Sequence, residues 1–158
     1  MTTAPISLTL SSPEATADLA ARLGARLRPG DTLLLEGPIG AGKTHFCRSL
    51  IQSLLDEPED VPSPTFTLVQ TYEAGIGEIW HADLYRLSGP GEIVELGLAE
   101  AFETAVCLVE WPDRLGPDAP ANALHVTLHP DPDAEDLRRI TLAWTDPKWA
   151  EKLDRLTS

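Results

Sequence analysis

The chain has 158 residues, 42% of them hydrophobic and 23% charged, which fits one globular domain over residues 1–158 and excludes a wholly disordered or fibrous chain. Twelve Lys and Arg residues against 25 Asp and Glu residues give a net charge of −13, which argues against tight, direct nucleic-acid binding. No apolar run approaches the roughly 18 residues of a membrane span, and the start of the chain lacks a signal-peptide pattern. We therefore expect a cytoplasmic protein with no membrane partner, in which Cys47 and Cys107 are reduced.

The first part of the chain predicts two strand–helix units, because short apolar runs alternate with segments of helical spacing. In chain order these are a strand at 6–10, a helix from Ser12-Pro13 to Pro29-Gly30, a strand at 32–36, a glycine-rich turn at 37–42 and a helix at 44–55. The second part predicts hairpins around one further buried strand. Its elements are strands at 65–73 and 78–83 joined by a turn at 74–77, short helices at 92–96 and 98–103, a strand at 105–109, strands at 124–128 and 137–144, and a helix at 148–156.

The strongest functional signal is the glycine-rich turn, where residues 37–44 read GPIGAGKT and match G-x-x-x-x-G-K-[ST] in full. The motif follows a predicted strand and opens a predicted helix, as a phosphate-binding P-loop does. In a P-loop, backbone N–H groups hold phosphate oxygens, the lysine reaches the β- and γ-phosphates and the hydroxyl binds Mg²⁺. Lys43 and Thr44 take these roles in the predicted fold, an α/β, P-loop NTPase-like three-layer domain with a central mixed sheet and added antiparallel hairpins.

Two carboxylates are candidates for the acidic partner that such a site needs for Mg²⁺ and the attacking water. Glu110 ends the apolar run at 105–109 and Asp83 ends the strand at 78–82, although each could also be a carboxylate that caps a helix. The spacing does not decide which of the two orients the water. His81 and Asp83 form only a weak metal-binding pair, so we interpret His81 as a strand residue.

Several separated blocks of sequence are similar to the TsaE (YjeE) family of bacterial P-loop ATPases, which act in threonylcarbamoyladenosine synthesis in tRNA. The blocks are GAGKT at 40–44, SPTFTLV at 63–69, HADLYRL at 81–87, ELG at 95–97 and VEWP at 109–112. They extend over about half of the chain, and together they are far more specific than a P-loop alone. No guanine-specific Asn/Thr-Lys-x-Asp loop is found, which favours ATP over GTP.

The resemblance implies a weak Mg²⁺-dependent ATPase, stimulated by partner proteins, that acts on a complex of TsaB-like and TsaD-like proteins to modify the tRNA adenosine next to the anticodon. It implies catalytic roles for Lys43, Thr65 on a switch-like loop, Asp83 and Glu110, and a Mg²⁺ site at Thr44 and Glu110. With the motif, it predicts nucleotide contacts at Gly37, Gly40, Ala41, Gly42, Lys43, Thr44, His45 and Trp111.

The chain departs from the family pattern at Pro38, where relatives have Asp, and at His45, where they have Thr. A late arginine contacts nucleotide in relatives, and either Arg138 or Arg139 could serve here. A small-molecule P-loop kinase is one alternative, but residues 112–121 hold only Arg114 where an arginine-bearing lid would be expected. A non-catalytic, nucleotide-dependent assembly factor is the other alternative.

Overall fold

The computed structural model describes residues 5–38, 40–57, 60–62, 68–85, 96–134, 136–154 and 156. Its elements in chain order are β1 (Ile6–Leu10), α1 (Pro13–Gly24), β2 (Thr32–Glu36), α2 (Lys43–Leu54), β3 (Val69–Ala74), β4 (Gly77–Asp83), α3 (Leu98–Thr104), β5 (Val106–Glu110), a 3₁₀ helix (Pro112–Asp118), β6 (Leu124–Pro130), β7 (Arg138–Ala143) and α4 (Lys148–Lys152).

Seven strands of the described residues form a single mixed sheet in the order β1-β7-β6-β2-β5-β4-β3. The four strands β6, β2, β5 and β4 run parallel at its centre. The antiparallel pairs are at the edges, where β3 pairs with β4, β7 with β6 and β1 with β7. The prediction of an α/β fold with a central mixed sheet and added hairpins is therefore confirmed.

Three consecutive leucines of β2 point alternately to the two faces of the sheet and pack into different core clusters. Leu33 and Leu35 pack into the larger cluster, which includes buried side chains of α1 and α2. Leu34 packs on the opposite face, with Leu98 of α3 and Leu115 of the 3₁₀ helix. Because successive strand residues point to opposite faces, this short apolar run anchors helices on both sides of the sheet and produces three layers.

The helix starts follow the local chemistry of the sequence. The Ser12 hydroxyl accepts a hydrogen bond from the backbone N–H of Ala15 at 3.1 Å, which caps the start of α1 at Pro13. Helix α2 begins at Lys43, directly after Gly42, which has φ +101° and offers no side-chain cap. The difference leaves the start of α2, and not the start of α1, as a candidate site for an anion.

Some predicted boundaries differ from the structure. Residues 112–118 form a 3₁₀ helix that we did not predict, since Pro112, Gly116 and Pro117 are typical of a loop. The terminal helix is shorter than predicted and ends at Lys152. Predicted strand residues 65–67 and helix residues 92–95 lie outside the described residues. Among the helices that the structure describes, none combines the length and hydropathy needed to cross a bilayer.

Candidate functional site

A glycine-rich loop, residues 37–42, joins the end of β2 to the start of α2, and Ile39 alone of its residues lies outside the described ones. Gly37 has φ +148°, and a Cβ there would lie 2.6 Å from the carbonyl oxygen of Leu128 on β6. Gly42 also has a positive φ, which side-chain-bearing residues rarely adopt. The loop therefore needs glycine at both positions, once for a close approach to β6 and once for its backbone conformation.

Lys43, the first residue of α2, turns its buried ammonium group back over this loop. The ammonium donates to the carbonyl oxygens of Gly37 and Pro38, the second at 3.1 Å, and lies 4.0 Å from the ring centroid of Trp111. Burial lowers the pKa of Lys43, while the carboxylates of Glu110 and Asp83 oppose that shift. A cation is thus held at the loop with both candidate carboxylates close enough to affect its charge.

Glu110 lies at the carboxyl end of β5 and is only 2% exposed. Its Oε1 accepts a hydrogen bond from the Thr44 hydroxyl at 2.9 Å, and its Oε2 lies 2.7 Å from Nε2 of His81. The two partners come from α2 and β4, which meet here because β2, β5 and β4 are adjacent parallel strands. The structure therefore brings together Thr44 and Glu110, the two residues that we predicted as Mg²⁺ ligands.

Asp83 ends β4 directly opposite Glu110 in the strand register. Its Oδ1 accepts a hydrogen bond from the backbone N–H of Tyr85 at 3.0 Å, so the carboxylate stabilises the turn that follows β4. Burial raises the pKa of Asp83; the Glu110 carboxylate acts in the same direction, and the Tyr85 N–H, His81 and Lys43 oppose it. Asp83 consequently takes up a proton more readily than an ordinary aspartate does.

Trp111 follows Glu110 in a left-handed backbone conformation, with φ +59°. That conformation is uncommon for a bulky residue, and such residues concentrate at functional sites. The ring centroid of Trp111 lies 4.0 Å from the ammonium of Lys43 and 4.9 Å from the ring centroid of Tyr85. The Tyr85 ring is exposed, so this aromatic pair extends from the buried lysine to the protein surface.

A pocket of about 280 Å³ opens on the other side of the loop. Its lining residues are Pro13, Thr16, Ala41, Gly42, His45, Asp136 and Arg138. The Arg138 guanidinium donates to the carbonyl oxygens of Ala41 at 3.0 Å and Gly40 at 3.4 Å, whereas the next residue, Arg139, is exposed on β7. Of the two arginines that the sequence left open, Arg138 is therefore the one beside the loop.

Nearly all the predicted site residues lie around the glycine-rich loop. They are Gly37, Gly40, Ala41, Gly42, Lys43, Thr44, His45, Asp83, Glu110 and Trp111. Thr65 lies outside the described residues, so its predicted contact with phosphate or metal stays a prediction. The side chain of His45 contacts the start of α1, since its Nε2 lies 3.0 Å from the carbonyl oxygen of Pro13.

His81 is the residue that sequence reasoning missed. We interpreted it as an ordinary strand residue, yet its imidazole is fully buried against Glu110. Cys47 lies in the same cluster, with its Sγ within 4.8 Å of the ligand atoms of both residues. The sequence did contain a signal for His81. Residues two apart in a strand share a face, so His81 lies on the same face of β4 as Asp83, which was already a candidate site residue.

Comparisons with known proteins agree on one family. Residues 10–140 match the family model described as threonylcarbamoyl adenosine biosynthesis protein TsaE. The chain is similar to the TsaE of Rickettsia bellii, at 41% identity over 132 residues that cover 84% of this chain and 92% of the relative. It is also similar to the TsaE of Bacillus subtilis, at 38% identity over 131 residues, or 82% of this chain and 80% of the relative.

Coverage is lower for a third relative. The TsaE of Rickettsia conorii is 50% identical over 103 residues, which are 65% of this chain and 59% of that protein. Among solved structures, a crystal structure of YdiB from Bacillus subtilis has a TM-score of 0.81 and 30% identity, and the match covers 99% of this chain and 96% of that one. The two chains therefore share a fold.

Proposed function

Because this chain belongs to the TsaE family, we propose that it binds ATP or ADP with Mg²⁺ at the glycine-rich loop and hydrolyses ATP weakly. Its relatives are named as tRNA threonylcarbamoyladenosine biosynthesis proteins. In this proposal the protein is an accessory factor for threonylcarbamoyl modification of the tRNA adenosine next to the anticodon. It acts on a complex of TsaB-like and TsaD-like proteins, which stimulates its ATPase.

The observation that carries the proposal is the hydrogen bond of 2.9 Å between the Thr44 hydroxyl and Glu110 Oε1. It joins the first turn of a helix that follows a glycine-rich loop to the end of an adjacent buried strand. A hydroxyl and a carboxylate at these two places are the protein groups that hold Mg²⁺ in P-loop ATPases. The donor set fits the ion, since both groups offer the oxygen ligands that Mg²⁺ prefers.

The same end of the sheet supplies groups for the phosphates. The start of α2 has no side-chain cap, so its first backbone N–H groups and the positive end of the helix dipole can receive an anion. On nucleotide binding, the Lys43 ammonium would give up its hydrogen bonds to the loop carbonyls and donate to β- and γ-phosphate oxygens instead. Asp83, with its raised pKa, is suited to orient the attacking water or to accept its proton.

In this proposal the base and ribose of the nucleotide occupy the pocket of about 280 Å³ beside the loop, which Arg138 and His45 line. A small-molecule kinase is less well supported. In the segment where an arginine-bearing lid would be expected, Leu115 is buried in the core and the one arginine, Arg114, is exposed. We therefore favour hydrolysis over transfer to a small molecule.

The charges support a protein partner over direct contact with tRNA. The chain carries −13 and has three lysines. Lys148 and Lys152 both pair with Asp31, at 2.9 Å and 2.7 Å, and Lys43 is buried in the candidate site. None of these three is left to neutralise a phosphate backbone, whereas an acidic surface can dock on a basic protein.

Two measurements test the proposal. Calorimetry of Mg²⁺·ADP binding should detect affinity in the native chain and a marked loss in Lys43→Ala, because that variant lacks the cation for the β- and γ-phosphates. Lys148→Ala is the matched control, since it makes the same change at the opposite end of β2. Unchanged affinity in Lys43→Ala would refute the assignment of the site.

Single-turnover ATP hydrolysis, with and without a TsaB–TsaD complex, then tests the activity. We expect slow turnover by the chain alone, stimulation by the complex, and no turnover in Lys43→Ala. Binding without any turnover in the presence of the complex would contradict the ATPase and leave the non-catalytic assembly factor as the function.

A further inference from the structure

We propose that His81 is a positioning residue for the metal-binding carboxylate of Glu110. In this inference the imidazole holds one oxygen of Glu110 so that the other faces the Thr44 hydroxyl and the bound metal. The inference rests on the proposed function, because it concerns the same Mg²⁺ site. It goes beyond that function by assigning a role to a residue that does not itself touch nucleotide or metal.

The geometry uses both oxygens of one carboxylate. Oε2 of Glu110 lies 2.7 Å from His81 Nε2, and Oε1 accepts from the Thr44 hydroxyl at 2.9 Å. A carboxylate bound at one oxygen only can rotate about its terminal torsion, whereas one held at both oxygens has a fixed plane. The bond from His81 therefore sets the direction in which Oε1 presents its lone pairs.

The hydrogen bond also determines that Nε2 is a ring nitrogen that bears a hydrogen. An ionised carboxylate can only accept, so Nε2 of His81 carries the proton that it donates. The other ring nitrogen, Nδ1, is buried and has no hydrogen-bond partner among the described residues. His81 therefore makes its contribution through Nε2 alone, and its partner there is Glu110.

An apolar residue would fill this position at lower cost if packing were the only requirement. Ile79 occupies the equivalent place two residues earlier on the same face of β4 and is fully buried in the core. Burying an imidazole costs hydration, and its Nδ1 regains no hydrogen bond from the described residues. The bond to Glu110 is the compensation that the structure shows, which points to a role in orienting that carboxylate.

Among the described residues, the hydrogen bond that Oε2 of Glu110 accepts comes from His81. Cys47, the third member of this buried cluster, has its Sγ within 4.8 Å of these ligand atoms and offers at most a weak S–H donor. Outer-shell groups that orient a metal ligand typically change metal affinity by about 10–100-fold when they are removed. Loss of His81 should therefore weaken binding of Mg²⁺ and leave the phosphate-binding loop intact.

The experiment compares three variants of the full chain by calorimetry of ADP binding over a series of Mg²⁺ concentrations and in EDTA. His81→Leu removes the donor, His81→Asn keeps an amide that is too short to reach Glu110, and His81→Gln keeps an amide near the position of Nε2. We expect the Mg²⁺ midpoint to rise about tenfold in the Leu and Asn variants and to stay close to the native value in His81→Gln. ADP affinity in EDTA should be unchanged in all three.

Ile79→Val controls for general loss of packing on the same face of β4, and thermal unfolding of each variant reports its stability. A native Mg²⁺ midpoint in His81→Asn, or an equal rise of the midpoint in His81→Gln and His81→Asn, would overturn the inference. The comparison of His81→Gln with His81→Asn tests the inference even if His81→Leu does not fold. Native chain that binds ADP with no dependence on Mg²⁺ would overturn the proposed metal site and the inference with it. Metal-dependent native binding with unaffected variants would overturn the inference alone.

Discussion

Asp31 holds the C-terminal helix α4 against the start of β2, and its neutralisation should be among the more damaging changes outside the site. The buried carboxylate accepts from Lys148 Nζ at 2.9 Å, from Lys152 Nζ at 2.7 Å and from the backbone N–H of Arg28 at 2.8 Å. Asp31→Asn keeps the size of the side chain and removes the charge. The two ammonium groups then lose their shared counter-ion.

The size of the effect follows from the exposure of the partners. Breaking a fully buried ion pair costs about 3–5 kcal/mol, because a charge is left without compensation. The side chains of Lys148 and Lys152 are 27% and 21% exposed, so water can partly replace the carboxylate. We therefore expect Asp31→Asn to lower the free energy of unfolding by about 2–3 kcal/mol, below the fully buried range.

Urea unfolding measures this loss, and Asp18→Asn is the matched control. Asp18 pairs with Arg22 at 3.1 Å across one helical turn, but these side chains are 62% and 49% exposed. Removing such a surface pair costs about 0.3–0.5 kcal/mol. Equal losses in the two variants would refute the view that burial gives the Asp31 cluster its strength.

The same variant predicts a dependence on pH. Burial by itself would raise the pKa of Asp31, but the bonds from Lys152, Lys148 and the Arg28 N–H outweigh it and hold the pKa below the ordinary value. A carboxyl group with a lowered folded-state pKa contributes stability above its unfolded pKa of about 3.9, and this is lost as pH falls through the folded value. The stability gap between the native chain and Asp31→Asn should therefore narrow in acid, and a constant gap would contradict the assignment.

Two further predictions concern the candidate site. Arg138→Leu should weaken ADP binding about tenfold, which is the effect of one lost charge-assisted hydrogen bond. Arg139→Leu should bind ADP normally in the same calorimetry. Equal effects of the two substitutions would show that the proximity of Arg138 to the loop does not matter for nucleotide binding. If Thr65 lies on a switch loop, Thr65→Ala should bind ADP nearly normally but lose partner-stimulated hydrolysis in single-turnover assays, because such a contact would form only in the active assembly. Full stimulated turnover in that variant would reduce the segment to ordinary structure.

Much of the fold could be predicted because its signals are local. Apolar runs such as the one that ends at Glu110 predict buried strands, and the glycine-rich motif predicts the strand–loop–helix unit that contains Lys43. The 3₁₀ helix over Pro112–Asp118 was missed for an equally local reason. Two prolines and a glycine within seven residues are typical of a loop, and its order comes from burial of Leu115 against the sheet.

The parts of the site that escaped prediction depend on contacts between distant residues. His81 and Glu110 are 29 residues apart, and nothing in either segment specifies their hydrogen bond. The choice between Arg138 and Arg139 depends on strand parity and on the pairing of β7, which decide that only the first reaches Ala41. The sequence contains His81 and Glu110, and likewise Arg138 and Ala41, but it does not give the strand register that brings each two residues into contact.

The pairing of the two chain ends in the sheet has a consequence for biosynthesis. Strand β1 is the first element of the chain, yet its partner in the described sheet is β7, with Leu8 opposite Ile140. Translation starts at the N-terminus, so β1 cannot pair with β7 until β7 has emerged from the ribosome. The start of α2 with Lys43 and the strand that ends at Glu110 are synthesised earlier, whereas Arg138, 97 residues beyond Ala41, arrives with β7. A nascent chain would thus complete β2, β4 and β5, around the candidate site, before β1 could pair with β7.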